Sequence, residues 1–589
     1  MFRAENVCFR NKRFTGKRWA VAGAAALALV MVLSGCGQNG GSGTQGNEVS
    51  RVSEPAAGFP EDYKGEYPMP LPDKAYNNPQ PYNKVRDGGS LTLVEDYAPN
   101  WNLYSTDGNT GAMSNMWQWY MPNLYCLDVK GNLTWNPDYV TNVELTSRKP
   151  MVVTIDINSK AKWNDGTPID WTAFEANWKL MNGKDPIYNP ASTQGVEDIE
   201  SVKQGKNAKG AVITFSKPYY PWQQLFSGLA NPKALDRETY AKGWIDNPHA
   251  EWAAGPFKPV KVNKDETVFE RNPSWWGRKP KLSKVTFKHM ESSASFNAFK
   301  NGELDAVNFS SANDLKTAKT VKGIQIRLGY SSSIGVFTYN ATAGALKDIN
   351  VRKAITFGLD TKTLASIANQ GLNWTVPTPG SELFPVFQEG YEDNRPAAVK
   401  KGLDKEAAKK ALVASGYKLG SDGYYTKAGK RLELRYTYFG DSAGTVAAAK
   451  AYSQMMKAVG VKINLDPHSS ADFADVLNGG DYDVLPMSWV VTDPYGQTAL
   501  MQLYGSKSDS NYTHIGNAEI DRLAKRPSTI EGQLKAVVEA NKAEKAALNL
   551  YGTMPYQASP SFTAVKKGLA NWGPHGLQTL DPTLVGWGK

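Results

Sequence analysis

Cysteine is almost missing from this chain, with three residues in 589: Cys8, Cys36 and Cys126. Two of them fall in an N-terminal leader, so Cys126 stands alone in the body of the chain. Stability must therefore come from apolar cores and not from cross-links, unless Cys36 keeps a free thiol that could pair with it. Within Asn123-Leu124-Tyr125-Cys126-Leu127, Cys126 reads as a small buried apolar residue and not as a nucleophile. Histidine is scarce too. His249, His289, His468, His514 and His575 include no two at helix or hairpin spacing, so a preformed zinc site has no support. There is no phosphate loop, no G-x-S-x-G elbow and no C-x-x-C pair, and the carboxylates are many but ungrouped. No catalytic residue, metal site or cofactor is expected, and a secreted hydrolase remains only as a contrasting class. Strong charge of one sign is lacking as well. The formal charge is +10, of which residues 1–36 hold +5, leaving +5 for the remainder. That is too mild for a nucleic-acid binder, which needs a dense basic face.

The leader itself is informative. Arg3, Arg10, Lys12, Arg13, Lys17 and Arg18 precede an apolar run that begins near Trp19 and ends at Leu33-Ser34-Gly35-Cys36. A basic start, a short apolar core and small residues before a cleavage point make an export signal. The run is too short and too rich in Ala and Gly for a membrane span of about 20 residues. Its end resembles a bacterial lipobox, in which Cys36 would take a diacylglycerol and become the first mature residue. An ordinary secretory signal or an uncleaved anchor is the alternative. Each of these puts the bulk of the chain outside the cytoplasmic membrane.

Residues 37–89 read as a flexible tether, with a Gly/Gln/Ser/Asn tract at 37–46 and repeated Pro with Tyr and Asp over 54–82. Ordered structure is expected from the strand Ser90-Leu91-Thr92-Leu93-Val94, after Gly88-Gly89. Val152–Ile157 is a second strand candidate. Thr172-Ala173-Phe174-Glu175 has capping-box spacing ahead of a helix with Phe174, Trp178 and Met181 on one face. Leu432, Leu434, Tyr436 and Tyr438 alternate as a half-buried strand does. A helix from about Gly444 to Val459, stopped by Gly460, leads into a further alternating strand from Val461. Mixed strands and βα units imply α/β domains around mixed sheets, two or three of them at this length.

Six segments in order carry a family resemblance. They are Ala161-Lys162-Trp163-Asn164-Asp165-Gly166-Thr167-Pro168; Gly255-Pro256-Phe257-Lys258; Arg271-Asn272-Pro273-Ser274-Trp275-Trp276-Gly277; Asn301-Gly302-Glu303-Leu304-Asp305-Ala306; Tyr339-Asn340 followed by Val351-Arg352-Lys353-Ala354-Ile355; and Gly480-Asp481-Tyr482-Asp483-Val484 before Trp489. Together they resemble the extracellular solute-binding proteins of the peptide/nickel class (family 5). With the lipobox, the pattern is similar to the lipid-anchored oligopeptide-binding proteins of ATP-driven importers. Most of the motif residues read as scaffold: Asn164-Asp165-Gly166 as a turn, Asn272-Pro273 with its Trp pair as a packed turn, and Gly255-Pro256 as a chain reversal at a crossing between lobes.

The resemblance implies a two-lobed periplasmic-binding-protein (Venus-flytrap) fold with mixed sheets and an extra inserted domain. Domain I would combine 90–125, 253–338 and 555–589, the inserted domain II would span 126–252, and domain III 339–554. The implied function is a lipid-anchored receptor that captures oligopeptides by hinge closure. It would deliver them to the membrane subunits of an ABC permease with cytoplasmic ATPases, acting as a monomer and binding no nucleic acid. The alternative cargo is a metal chelate, haem, sugar or glycolipid. In peptide-binding relatives an aspartate three residues after a tryptophan pairs with the peptide amine. Here Trp489 is followed at that distance by Thr492, with Asp493 one later, so Asp493 is either the amine partner or a turn residue before Pro494. Trp489 is a candidate wall of the site. Trp101 and Asn102, and Tyr339 and Asn340, are candidates for the cleft or hinge.

Overall fold

The computed structural model describes residues 69–71 and 74–589. The leader, the proposed lipid site at Cys36 and most of the 37–89 tether lie outside the described residues. The first lobe opens with β1 (Ser90–Glu95), whose Leu91 and Leu93 turn into a core shared with Phe257, Phe269, Val285 and Phe287. The helix Gly111–Tyr120 follows, capped by Thr110, whose hydroxyl accepts from Met113 N. A short hairpin, β2 (Tyr125–Leu127) and β3 (Leu133–Trp135), leads into the inserted domain. That domain is an antiparallel sheet of β4 (Val140–Arg148), β5 (Met151–Ile157), β6 (Ile199–Gln204) and β7 (Gly210–Phe215), ordered β4-β5-β7-β6. The helix Trp171–Met181 packs on it. Its cap is Asp170, accepting from Thr172 N, and not Thr172 as the spacing suggested. Asp170 comes earlier in the chain and already satisfies the first orphan amide.

The chain returns to the first lobe through Gly255-Pro256, so that pair joins the inserted domain to the strand that starts at Phe257 and is not a crossing between the two lobes. β8 (Phe257–Val262), β9 (Glu266–Arg271) and β10 (Lys284–His289) complete a sheet ordered β1-β10-β9-β8, with β1 and β10 parallel. Three of the sequence motifs meet at this return. Asn272 Nδ2 donates to Asn164 Oδ1 at 2.7 Å and to the Gly255 carbonyl at 2.8 Å. A Cβ on Gly255 would lie 2.6 Å from the Tyr120 backbone, which leaves room for glycine alone. Trp275 and Trp276 pack against Tyr139 of the inserted domain.

The two lobes share one six-stranded sheet. β11 (Ala306–Phe309) is followed by β12 (Ile324–Tyr339), which is 16 residues long and runs from the first lobe into the second. In the second lobe lie the small strands β13 (Lys418–Leu419), β14 (Tyr425–Lys427) and β15 (Lys430–Arg431), then β16 (Glu433–Phe439), β17 (Lys462–His468) and β18 (Val484–Val490). β19 (Thr553–Lys566) returns antiparallel to β12, and the sheet order is β11-β19-β12-β18-β16-β17. The β12–β19 register breaks between Tyr330 and Ile334 and again between Gly335 and Val336. A break in both crossing strands loosens the ladder where the lobes join, which is where a hinge needs compliance. The second lobe buries Leu432 and, along β16, Leu434, Tyr436 and Tyr438, and the helix Ala443–Ala458 covers them before Gly460 takes φ +79°.

Part of the expected tether is packed. Tyr76 is fully buried, its amide donates to the Pro574 carbonyl at 2.7 Å, and Val85 bridges Gly588. Tyr76 and Val85 thus seal the first lobe, while Pro79 and Pro81 stay exposed. No helix among the described residues is long and apolar enough to cross a membrane.

Candidate functional site

Loops at the carboxyl ends of parallel strands make crevices for ligands. In the first lobe β1 and β10 run parallel and end at Glu95 and His289. In the second lobe β16 runs parallel to β17 and β18, and these three end at Phe439, His468 and Val490. The loops that follow touch across the gap. Ser470 Oγ donates to Glu291 Oε2 at 3.0 Å, Ser293 Oγ to Asp441 Oδ2 at 3.0 Å, and Asn478 Nδ2 to Asp107 Oδ1 at 2.8 Å. The structure is therefore a closed form, with the cleft roofed by the first lobe and floored by the second.

The roof is acidic. Burial pushes the Glu95 carboxyl up to about 7, with the charge of Asp96 adding and the Asn115 hydrogen bond at 2.8 Å opposing. Glu95 keeps some accessible surface, so the desolvation is that of an enclosed cleft and not of a dry core. Asp96 is raised too, by burial and then by Glu291. The floor is aromatic: Trp489 stacks on Tyr512 with centroids 5.9 Å apart and planes 11° apart. Burial raises the Tyr512 hydroxyl, and Asp107 of the first lobe adds to it. Along β12, Tyr330–Ser333 are only half-buried at the hinge, and Ser488 and Val490 of β18 are exposed.

A cavity of about 640 Å³ lies between the inserted domain and the second lobe. Tyr125, Trp135, Trp222, Thr492 and Tyr495 are among its walls, and the Trp135 and Trp222 rings stack at 6.2 Å. Beside it Gln194 Nε2 donates to the Gln497 carbonyl at 2.8 Å and Tyr220 N to the Ser528 carbonyl at 2.7 Å, so the inserted domain also closes on the second lobe.

Residues 134–511 match the bacterial extracellular solute-binding proteins, family 5, middle region. The chain belongs to that family. The oligopeptide-binding protein OppA of Mycobacterium tuberculosis (strain ATCC 25618 / H37Rv) is 32% identical to this family 5 protein over 580 residues, covering 97% of this chain and 94% of that one. Among solved structures, the periplasmic EDTA-binding protein EppA superposes with a TM-score of 0.75 at 24% identity, covering 86% of this chain and 98% of its own. The oligopeptide-binding protein AppA from Bacillus subtilis, in complex with a nonapeptide, gives 0.73 at 19% identity, covering 86% and 100%. The two-lobed solute-binding fold is thereby established, and with it a role as a transport receptor.

The residues singled out in the sequence separate into two groups in this family 5 fold. Trp489 and Thr492 reach the interlobe space, as floor and as cavity wall. Asp493 lies next to them, but only 3% of its surface is exposed and its carboxylate already has four donors. Oδ1 accepts from Tyr495 N at 2.8 Å and from Gln224 Nε2 at 2.9 Å, and Oδ2 from Thr498 N at 2.7 Å and Thr498 Oγ1 at 2.9 Å. Trp101 and Asn102 sit in the first lobe's core instead of the cleft. The Trp101 carbonyl accepts from Trp117 Nε1 at 3.0 Å, and Asn102 Nδ2 donates to the Tyr240 carbonyl at 3.2 Å. Tyr339 is buried in the second lobe's core at the end of β12. Asn340 ties that end to the β18 side, donating to the Gly480 and Tyr482 carbonyls at 3.1 and 3.2 Å. Sequence reasoning missed Glu95, Asp96, Glu291 and Tyr512. The first two carried a signal, being carboxylates directly at the end of the first strand.

Proposed function

We propose that this protein is a lipid-anchored extracellular receptor that captures oligopeptides by hinge closure and hands them to an ATP-driven permease. The observation that carries the reading is the near full-length similarity to a protein named as oligopeptide-binding. Fold alone is compatible with an EDTA binder as well. The charge of the cleft favours a peptide. Glu95 and Asp96 would repel an anionic chelate, whereas an ammonium entering a desolvated site gains most from a carboxylate partner. Asp493 has filled its acceptor capacity with loop and interdomain donors. Glu95 holds Asn115 Nδ2 and the Asp96 amide and has room for more, so the reading assigns the ligand amine to Glu95. The half-exposed strand segments at the hinge supply backbone donors and acceptors that tolerate varied side chains, and Trp489 with Tyr512 forms an apolar wall.

The test is native mass spectrometry of the protein as purified, followed by thermal shift against paired peptides with free and acetylated N-termini. Co-purified peptide masses and a stabilisation that acetylation abolishes are expected. A non-peptide adduct with no response to any peptide would move the cargo to the chelate, haem or sugar class. For the anchor, Cys36→Ala is expected to release the protein from membranes. Continued firm attachment would mean an uncleaved span.

A further inference from the structure

Residues 397–431 carry nine Lys or Arg against three acidic residues, a net of +6 in 35 residues. The whole chain beyond residue 36 nets +5, so this segment outweighs everything else and the remainder is slightly acidic. It folds as one face of the second lobe, from the helix Lys405–Ala414 to the β13-β14-β15 meander. The two parts abut: a Cβ on Gly416 would lie 3.7 Å from the Lys427 side chain, and Lys427 Nζ sits 5.5 Å from the Tyr417 ring. The three acidic residues are engaged within the face. Asp404 caps the helix through Ala407 N, Glu406 pairs with Lys409, and Asp422 pairs with Arg431.

Apolar side chains stand out among these cations. Leu403, Val413 and Leu419 are 40%, 59% and 60% exposed. Val413 lies three and four residues after Lys410 and Lys409 on the same helix surface, and Leu419 adjoins Lys418. Exposed aliphatics set in a lysine field form the pattern of a surface that rests on anionic lipid. The lysines meet headgroup charge while the apolar tips enter the acyl boundary. The face is also at the right end of the lobe. β15 runs through Leu432 into the start of β16, whose other end is at the cleft, roughly 20 Å away at the rise of a strand. Lipid contact there leaves ligand entry open.

We propose that the basic face formed by residues 397–431 docks on the anionic outer surface of the cell membrane. The inference rests on the reading that Cys36 holds the protein at that membrane.

Hydrogen exchange of the full-length protein, isolated from its cell membrane and mixed with vesicles, tests it. Vesicles of phosphatidylcholine alone are compared with vesicles that also contain phosphatidylglycerol. At least tenfold slower exchange across 405–431 is expected on the anionic vesicles only. It should disappear at an ionic strength of about 1 M, where the Debye length is ~3 Å, and in K410E/K418E/K430E, whose exposed positions leave the fold intact. Equal protection on both vesicles, or none on either despite attachment, overturns the proposal. Attachment to neutral vesicles without protection spares the anchor. Protection on anionic vesicles with no attachment to neutral ones supports the face and overturns the anchor. Protection by a soluble acidic protein but not by vesicles makes the face a protein-docking site and overturns the lipid assignment.

Discussion

Gln224 Nε2 donates to Asp493 Oδ1 at 2.9 Å, joining the inserted domain to the second lobe beside the 640 Å³ cavity. This bond exists only when the lobes are together, so it favours the closed state differentially. Gln224→Ala is expected to raise the dissociation constant for a bound peptide by about tenfold, equivalent to ~1.4 kcal/mol, with little change in the melting temperature of the unliganded protein. Calorimetric titration of both proteins with one peptide reads this. Equal affinities would mean that the contact contributes nothing to closure.

Asp493→Asn tests the turn role directly. The substituted amide must turn an NH2 group toward Tyr495 N or Thr498 N, leaving a buried donor without an acceptor. That costs about 1–3 kcal/mol, so the second lobe should melt earlier without ligand. A full melting temperature combined with a loss of peptide affinity well beyond that of Gln224→Ala would instead make Asp493 the amine partner.

How far the sequence could reveal this depended on the range of the interaction. The alternation at Leu432, Leu434, Tyr436 and Tyr438 and the stop at Gly460 are local, and both elements appear where the pattern put them. The scaffold reading of Asn164, Gly255 and Asn272 was legible residue by residue. Their convergence on one hydrogen-bonded junction was not, because 108 residues separate Asn164 from Asn272. The six-stranded sheet shared by both lobes was hidden for the same reason, since β12 and β19 are far apart in sequence. Glu95 sat in plain view, but its burial comes from side chains that only the fold brings around it. Tyr76 was concealed by composition: a Pro-rich segment that looks like a tether also seals a core when an aromatic ring finds a pocket.

Glu382 offers a stability test away from the cleft. Its carboxyl is fully buried, one oxygen has no hydrogen-bond partner, and burial pushes its pKa up to about 8 from 4.5, with the nearby Thr553 hydroxyl opposing and the neighbouring Glu544 adding. Between those values the unfolded chain releases the proton and the native chain retains it. The native state therefore loses stability as pH rises from about 4.5 to 8 and levels off above. Glu382→Gln removes that loss. The variant should match the parent near pH 5 and exceed it by pH 8, on the order of 2–5 kcal/mol. Parallel melting curves across the range would show that Glu382 does not titrate as a buried acid.

Ligand binding should also depend on pH through Glu95. In the unliganded closed cleft burial pushes its carboxyl up to about 7, and an ammonium pairs only with the ionised form. Below that value each binding event must first expel a proton. Affinity should fall toward acid, by roughly tenfold for each pH unit over which the carboxyl is protonated in the free form only. A peptide amine has an ordinary pKa of about 8, so affinity declines again above that value and the profile is greatest between the two. Glu95→Gln should weaken binding near neutrality and flatten the acid limb while leaving the alkaline limb in place. Calorimetry near pH 6 in two buffers of different ionisation enthalpy should show proton release on binding by the parent and none by the variant. An acid limb that survives in Glu95→Gln would transfer the role to Asp96, and a flat profile in the parent would remove the carboxylate–amine pairing from the mechanism.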